Sequence, residues 1–318
     1  MNLILIISLI AVIVVFYFIN RKPNIVEDPI LDEVSPRLMK RLTNKKLNIF
    51  TYCNQRDYNF KMSWRYPQLK YDYTRPFEYL CIQSLIKNMK PYNNINLVIL
   101  NSRNVHSYLP DFPITFSNDV STKQIMDLLG AYILERYGGL WFSPFTVSLN
   151  KDLTNIFNSI KTNDIVTFGT SINVDSITGP VNNLVIGAKR NSFVIQKYKS
   201  LMDNYISSNS YKYLYNHVNK PPEPLQEAIS QTKPTRKHYG IETDGSYNIN
   251  NRKIHIDEYF GKMPLQFINP KSVQFISIPY QELEINTTYL WIHSTPLHKL
   301  INNNIAIVEI IKNINLKI

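Results

Sequence analysis

Glu242 and Asp244 are separated by a single residue. On an extended strand alternate side chains share a face, so the two carboxylates would point the same way. Carboxylates so paired can hold a divalent cation or act as the base on an acceptor hydroxyl. The same residues also read as an Asp-Gly turn at Asp244-Gly245, which requires no chemistry. Asp127 stands toward the start of a helical stretch, where acids are favoured by the helix dipole with or without a ligand. His293, within Trp291-Ile292-His293-Ser294, can reach a diphosphate or a metal, or simply pack between its apolar neighbours. Arg56, His106 and Arg190 are open to a phosphate, with no motif around them. No GxSxG, Cys-His signature or P-loop occurs, which argues against hydrolase and NTPase chemistry. The two cysteines, Cys53 and Cys81, lack a CxxC spacing and read as buried thiols in a reducing compartment.

The elements that must position these groups follow from the apolar pattern. Leu47 to Cys53 is a short apolar and β-branched run, the first expected strand. Arg75 to Met89 carries Phe77, Leu80, Cys81, Leu85 and Ile86 at helical spacing, with Pro76 at its opening. Asn96 to Leu100 reads as a buried strand. Ser121 to Tyr137 is an amphipathic helix, with Ser121 or Thr122 as N-cap and Gly138-Gly139 as its stop. Leu140-Trp141-Phe142 is a short buried strand, and Pro144 puts Ser143-Pro144-Phe145 at its end or in a loop. Asp164 to Gly169 and Asn183 to Ala188 are two further strands around a Gly179-Pro180 turn, and Phe193 to Tyr205 is a helix. His238 to Phe260 and Trp291-Ile292-His293 read as short strands and loops at the sheet edge. Alternating strands and helices predict a parallel α/β layer structure. Ligands of such sheets sit at the strands' C-terminal ends.

Across Asp127 to Val147 the sequence resembles the glycosyltransferases with a sugar-binding region, which include capsular-polysaccharide-synthesis-like proteins and yeast-type mannosyltransferases. Their pattern is an Asp, an Arg three residues on, Tyr-Gly-Gly, a short apolar stretch and Asp-x-Asp. Here Asp127 precedes Gly138 by the family's eleven residues, and Tyr137-Gly138-Gly139-Leu140-Trp141 matches. Tyr108-Leu109-Pro110-Asp111 and His238 to Ser246 resemble two further stretches of the capsular-synthesis branch, which is seen in bacteria and large DNA viruses. The resemblance runs from about Leu47 to Phe260. It implies a GT-A-like, Rossmann-like nucleotide-sugar sheet flanked by helices, a nucleotide-sugar donor and a glycan or polysaccharide acceptor.

The resemblance also assigns residues. Asp127 would meet the donor sugar's hydroxyls, and with the paired Glu242 and Asp244, read from their own spacing, it makes up the expected catalytic set. Gly138, Gly139 and Ser143 join Asp127 around the donor, the two glycines being a helix stop first, and His293 is added to them from its residue type alone. The family's Arg position is Gly130, and its Asp-x-Asp falls on Ser143-Pro144-Phe145. In the family that motif holds Mn²⁺ or Mg²⁺ against the diphosphate. A hydroxyl and a phenyl ring offer no such ligand set, so no metal ligand is assigned here. Asp175 can replace a lost carboxylate, or is an ordinary loop Asp. An inactive relative that binds glycan or serves as a scaffold of a membrane or virion is the second expectation, favoured by Gly130, Ser143 and Phe145.

The whole chain has 318 residues, a formal charge of +11, 44% hydrophobic residues and 9 glycines, which excludes wholesale disorder and collagen-like sequence. The excess charge favours anionic partners, either a membrane surface or a phosphorylated donor. Basic residues are scattered and no nucleic-acid-binding motif accompanies them, so nucleic acid is set aside as a partner. Leu3 to Ile19 is apolar but for Ser8, starts uncharged and closes on Tyr17-Phe18-Ile19. That is the pattern of a retained single-pass transmembrane helix rather than a cleaved signal peptide, with the lipid bilayer as a partner. Arg21 and Lys22 follow it directly, placing the large C-terminal body in the cytoplasm by the positive-inside rule. The expected organisation is an anchor over 1–20, a stem over 21–46 and a glycosyltransferase-like domain over 47–318.

Overall fold

The apolar runs become a sheet whose central strands are buried on both faces. In the computed structural model the described residues are 46–53, 76–89, 95–101, 104–113, 122–149, 152–169, 181–207, 224–278, 283, 287–289, 291–292 and 295–314. All of them belong to one unit, Arg41–Ile318. The anchor and stem expected before Lys46 lie outside the described residues. Among the described residues no helix is long and apolar enough to cross a membrane.

In chain order the elements are β1 (Leu47–Tyr52), α1 (Pro76–Met89), β2 (Ile95–Leu100), α2 (Val105–Tyr108), α3 (Thr122–Tyr137), β3 (Gly139–Phe142) and β4 (Thr146–Ser148). Then come α4 (Thr154–Thr162), β5 (Ile165–Gly169), β6 (Val181–Ala188), α5 (Phe193–Ser207), α6 (Pro224–Thr232), β7 (Arg236–Tyr239) and α7 (Ile241–Asp244). The remainder is α8 (Ile256–Tyr259), β8 (Phe275–Ser277), a 3-10 turn at Thr287–Tyr289, α9 (Leu297–Ile301) and α10 (Ala306–Asn313).

Six strands form the main sheet in the order β2-β1-β3-β6-β5-β7. β1 is parallel to β2 and β3, and β5 is parallel to β7. β6 is antiparallel to both β3 and β5. The sheet is therefore mixed, and the expectation of an all-parallel layer is corrected at β6. Only eleven residues, 170–180, join β5 to β6. That is short for a parallel crossover and suits a strand that turns straight back. A second, two-stranded sheet pairs β4 with β8, Thr146 standing opposite Ser277.

Alternation along β3 sorts the two layers around the main sheet. Trp141 faces α3, where its indole lies against Gly130. Phe142 turns to the other side and packs with Leu140, Ile156, Val185 and Phe275, meeting Phe275 edge-on with ring centroids 5.7 Å apart. On the α3 side, α5 packs alongside: the Tyr132 hydroxyl donates to Asp203 at 3.0 Å, and Lys199 donates to Glu135 at 3.1 Å. Burial pushes the Asp203 carboxyl above its ordinary value. A separate apolar cluster joins α1, β4, β8 and the C-terminal helices through Phe77, Leu80, Val147, Ile276, Leu300 and Ile307. Trp291-Ile292, read from sequence as part of short strands and loops, is helical, and the Thr295 amide donates to the Trp291 carbonyl at 2.8 Å.

Candidate functional site

The helix stop fixes where α3 begins and ends relative to β3. The Gly138 amide closes the last turn by donating to the Leu134 carbonyl at 2.8 Å. Gly138 has φ 62° and Gly139 φ 114°. A Cβ on Gly138 would lie 2.4 Å from the Arg190 amide nitrogen, and one on Gly139 2.2 Å from the Asn48 carbonyl oxygen. Both glycines are thus demanded by backbone conformation and by close approach of neighbouring chain. They sit at the N-terminal end of β3, whereas Ser143 follows its C-terminal end. Arg190 lies with them, at the edge of the sheet opposite Ser143. These three residues serve the elbow between α3 and β3 and are not brought together with Ser143.

From that elbow α3 runs back over β3. Gly130 meets Trp141: a Cβ there would stand 3.0 Å from the indole Nε1. The helix position that carries Arg in the family's pattern is therefore filled by the Trp141 ring below it. Asp127, one turn nearer the helix start, reaches the C-terminal end of β3. There the Asn183 side-chain amide donates to Asp127 Oδ1 at 3.2 Å, and the Ser143 amide donates to the carbonyl of the next residue, Leu184, at 2.7 Å. Asp127 is only 6% exposed. Two successive residues of β6 thus tie Asp127 and Ser143 to the same end of the sheet. Asn183 was missed by sequence reasoning, since an amide opening an apolar strand is unremarkable without its partner.

The turn after β3 is rich in neutral oxygen. Ser143, Thr146 and Ser277 are buried, and none of their hydroxyl oxygens has a hydrogen-bond partner among the described residues. The Thr146 amide donates to the Ser143 carbonyl at 3.1 Å, and Thr146 faces Ser277 across the β4–β8 ribbon. Phe145 points away into the core with Phe77, Leu80, Cys81 and Ile276. Its carbonyl accepts from the Ile278 amide at 3.1 Å. Hydroxyls and a buried ring do not fit a divalent cation, which wants anionic hard oxygens. Cys81, in the same cluster, has its thiol pushed up by burial and by nearby Glu78, which leaves it a poor nucleophile.

The remaining candidates are dispersed. Glu242 and Asp244 do not lie on a strand: α7 is a single helical turn, closed by Gly245 in the left-handed conformation at φ 59°. Two residues apart on a helix point to different sides. Glu242 is accordingly exposed and Asp244 buried. Asp244 Oδ1 accepts from the Ser246 amide at 3.0 Å, an Asx turn. The paired-carboxylate geometry is thereby corrected to the Asp-Gly turn. His106 is exposed on α2, beside Phe112 with ring centroids 6.5 Å apart. Arg56, Asp175 and His293 lie outside the described residues. Among the described residues, no three His, Cys, Asp or Glu side chains group to hold a metal ion.

The geometry so far is that of a helix-flanked mixed sheet with a polar site at the end of β3. The match in sequence supports a glycosyltransferase family. Residues 79–231 match the model of the family described as capsular polysaccharide synthesis protein. No curated protein matches the chain. Among solved structures, the chain is similar to the PaToxG glycosyltransferase, with 12% identity over 58% of this chain and 69% of that one, at a TM-score of 0.34. It is similar to the galactosyltransferase LgtC in complex with donor and acceptor sugar analogs, with 12% identity, 79% and 96% coverage and a TM-score of 0.34. The glycosyltransferase GlyE of Streptococcus pneumoniae TIGR4 gives 12% identity, 86% and 61% coverage and a TM-score of 0.36. With scores of this size, the fold rests on the strand order of this chain itself.

Proposed function

We propose that this chain is a membrane-anchored, glycosyltransferase-like protein that takes a nucleotide-sugar donor and a glycan or polysaccharide acceptor. The observation that carries the reading is Asp127: a buried carboxylate, steadied by Asn183, at the end of the sheet where Ser143 follows β3. In this reading Asp127 accepts hydrogen bonds from hydroxyls of the donor sugar. Ser143 contributes a neutral hydroxyl where the family has a carboxylate. The charge that develops on the diphosphate as the sugar leaves is then met by cationic side chains rather than by a cation at Ser143–Phe145. Asp244 is already committed to its turn and takes no part in proton transfer. The anchor is Leu3 to Ile19, with the body on the cytoplasmic side of a cellular membrane or within a virion membrane.

Phe145 favours a second reading, that of a relative which binds glycan without turnover. Its ring occupies the core where a metal-binding carboxylate would have to be, and Ser143 is neutral. Calorimetry with a panel of nucleotide sugars, with Mn²⁺ and then with chelator, tests the first reading. Binding that persists in chelator and weakens with added salt is expected. A large gain with Mn²⁺ would mean that another constellation holds a metal. Binding of glycan alone, with no nucleotide sugar bound under any condition, would establish the second reading.

A further inference from the structure

Among the described residues, the exposed large apolar side chains are Phe193, Ile249, Met263 and Ile268. Three of these four fall within twenty residues of one another, at 60%, 80% and 37% exposure for Ile249, Met263 and Ile268. Two of them share one face of a small ribbon. Tyr247 pairs with Lys253 and Asn248 with Phe267, both antiparallel. The Ile249 amide donates to the Gln266 carbonyl at 3.0 Å, and the Ile268 amide to the Tyr247 carbonyl at 3.4 Å. Asn248 is buried and Phe267 packs on the core, so alternation turns Tyr247, Ile249, Gln266 and Ile268 outward. Lys253, opposite Tyr247, shares that outward face.

The surroundings are basic. Lys253, Lys262 and Lys271 are exposed. The two acidic residues of the segment are both engaged: Glu258 with Arg252 at 2.8 Å, and Asp257 as acceptor of the Tyr289 hydroxyl. We infer that this ribbon is a membrane-contact surface that seats Ile249 and Ile268 at an anionic lipid headgroup layer, with Lys253 and the lysines near it in sequence on its phosphates and carboxylates. Lysine is depleted from protein–protein interfaces, whereas at a bilayer surface its stem lies along apolar groups while its ammonium meets headgroups. Two exposed isoleucines beside a lysine and a tyrosine on one ribbon face fit the bilayer boundary on both counts. The inference is independent of glycosyl transfer.

Full-length Ile249→Cys and Phe193→Cys, each labelled with an environment-sensitive fluorophore, test it. The native Cys53 and Cys81 are buried and so are spared by the label. The protein is reconstituted in vesicles of phosphatidylcholine, or of phosphatidylcholine with phosphatidylserine. An anchor holds the body near either bilayer, so the difference between lipids reports the headgroup. A blue-shifted emission at position 249 with phosphatidylserine, reversed by Lys253→Glu with Lys271→Glu and absent at position 193, is expected. No lipid dependence at 249, or the same shift at 193, overturns the inference. A shift that instead grows with protein concentration in the absence of lipid makes the ribbon a contact between copies and overturns it as well.

Discussion

Phe145 shows how a departure from a family pattern can be locked in by packing. Its side chain is fully buried among Phe77, Leu80, Cys81 and Ile276, so the metal-binding motif cannot be restored there by simple replacement. Phe145→Asp removes a core ring, a change of about 3–5 kcal/mol by itself, and adds an unpaired buried carboxylate. A thermal melt of the variant should show a large loss of stability, and an unchanged midpoint would show that the site is not packed as described. Asp127→Asn is the contrasting change. The amide oxygen can still accept from Asn183, so stability should hold while the charge is lost. A charge-assisted hydrogen bond is worth about 1.5–3 kcal/mol, so nucleotide-sugar affinity should fall roughly ten- to a hundredfold by calorimetry. Asp127 was legible in the sequence because its distance to Gly138 is set by a helix of fixed pitch. Asn183 was not, because its role comes from a strand partner far along the chain. Of the two readings of Glu242 and Asp244, the shared strand face fails and the Asp-Gly turn holds, because a period of two means one face only on a strand, and Gly245 closes a helical turn there.

At the scale of elements, β1, α1, β2, α3 and β3 stand where the apolar pattern put them, each within a residue or two. The reversal of β6 was not legible, since an apolar run carries no direction. β4 and β8 escaped because three-residue strands have no periodicity to read. α6 lay hidden behind Pro221, Pro222 and Pro224, though Pro224 is its first residue and suits a helix start. The α3–β3 elbow can be tested directly. Gly139→Ala forces a side chain against the Asn48 carbonyl at a strained φ, and should lower stability by more than about 1 kcal/mol in urea unfolding. The edge strand β7 offers a pH test. The Thr235 hydroxyl donates to Asp164 Oδ2 at 2.6 Å and above all other causes holds that carboxyl below its ordinary 3.8. A depressed pKa gives stability that is present above the unfolded value and lost as pH falls through the folded one. Asp164→Ala should therefore speed amide exchange at Arg236–Tyr239 near neutrality. The wild type and the variant should converge as pH drops below 3.8. A constant gap across that range would assign the effect to packing instead.

For the whole molecule, the charge of +11 and the N-terminal apolar run bear on where the protein works. Leu3 to Ile19 offers seventeen residues without a charge, which as a helix extend about 25 Å, at the short end for a hydrocarbon core. The side chains of Met1 and Asn2 before it are uncharged, and Arg21 and Lys22 after it would snorkel to headgroups from such a helix. The full chain is expected to remain with membranes after carbonate extraction, and a chain shortened through Lys22 to be released by it. Recovery of the full chain in the soluble fraction would refute the anchor. The proposed orientation rests on the same two cations. With Arg21 and Lys22 inside, protease added to sealed vesicles that expose their cytoplasmic face should digest the body. A protected body would place it on the far side and make Asn286-Thr287-Thr288 a reachable glycosylation acceptor, which a mobility shift on deglycosylation would reveal. A digested body with no such shift supports the cytoplasmic placement, on the side where anionic lipid is abundant and the basic ribbon around Lys253 would find its charge partner.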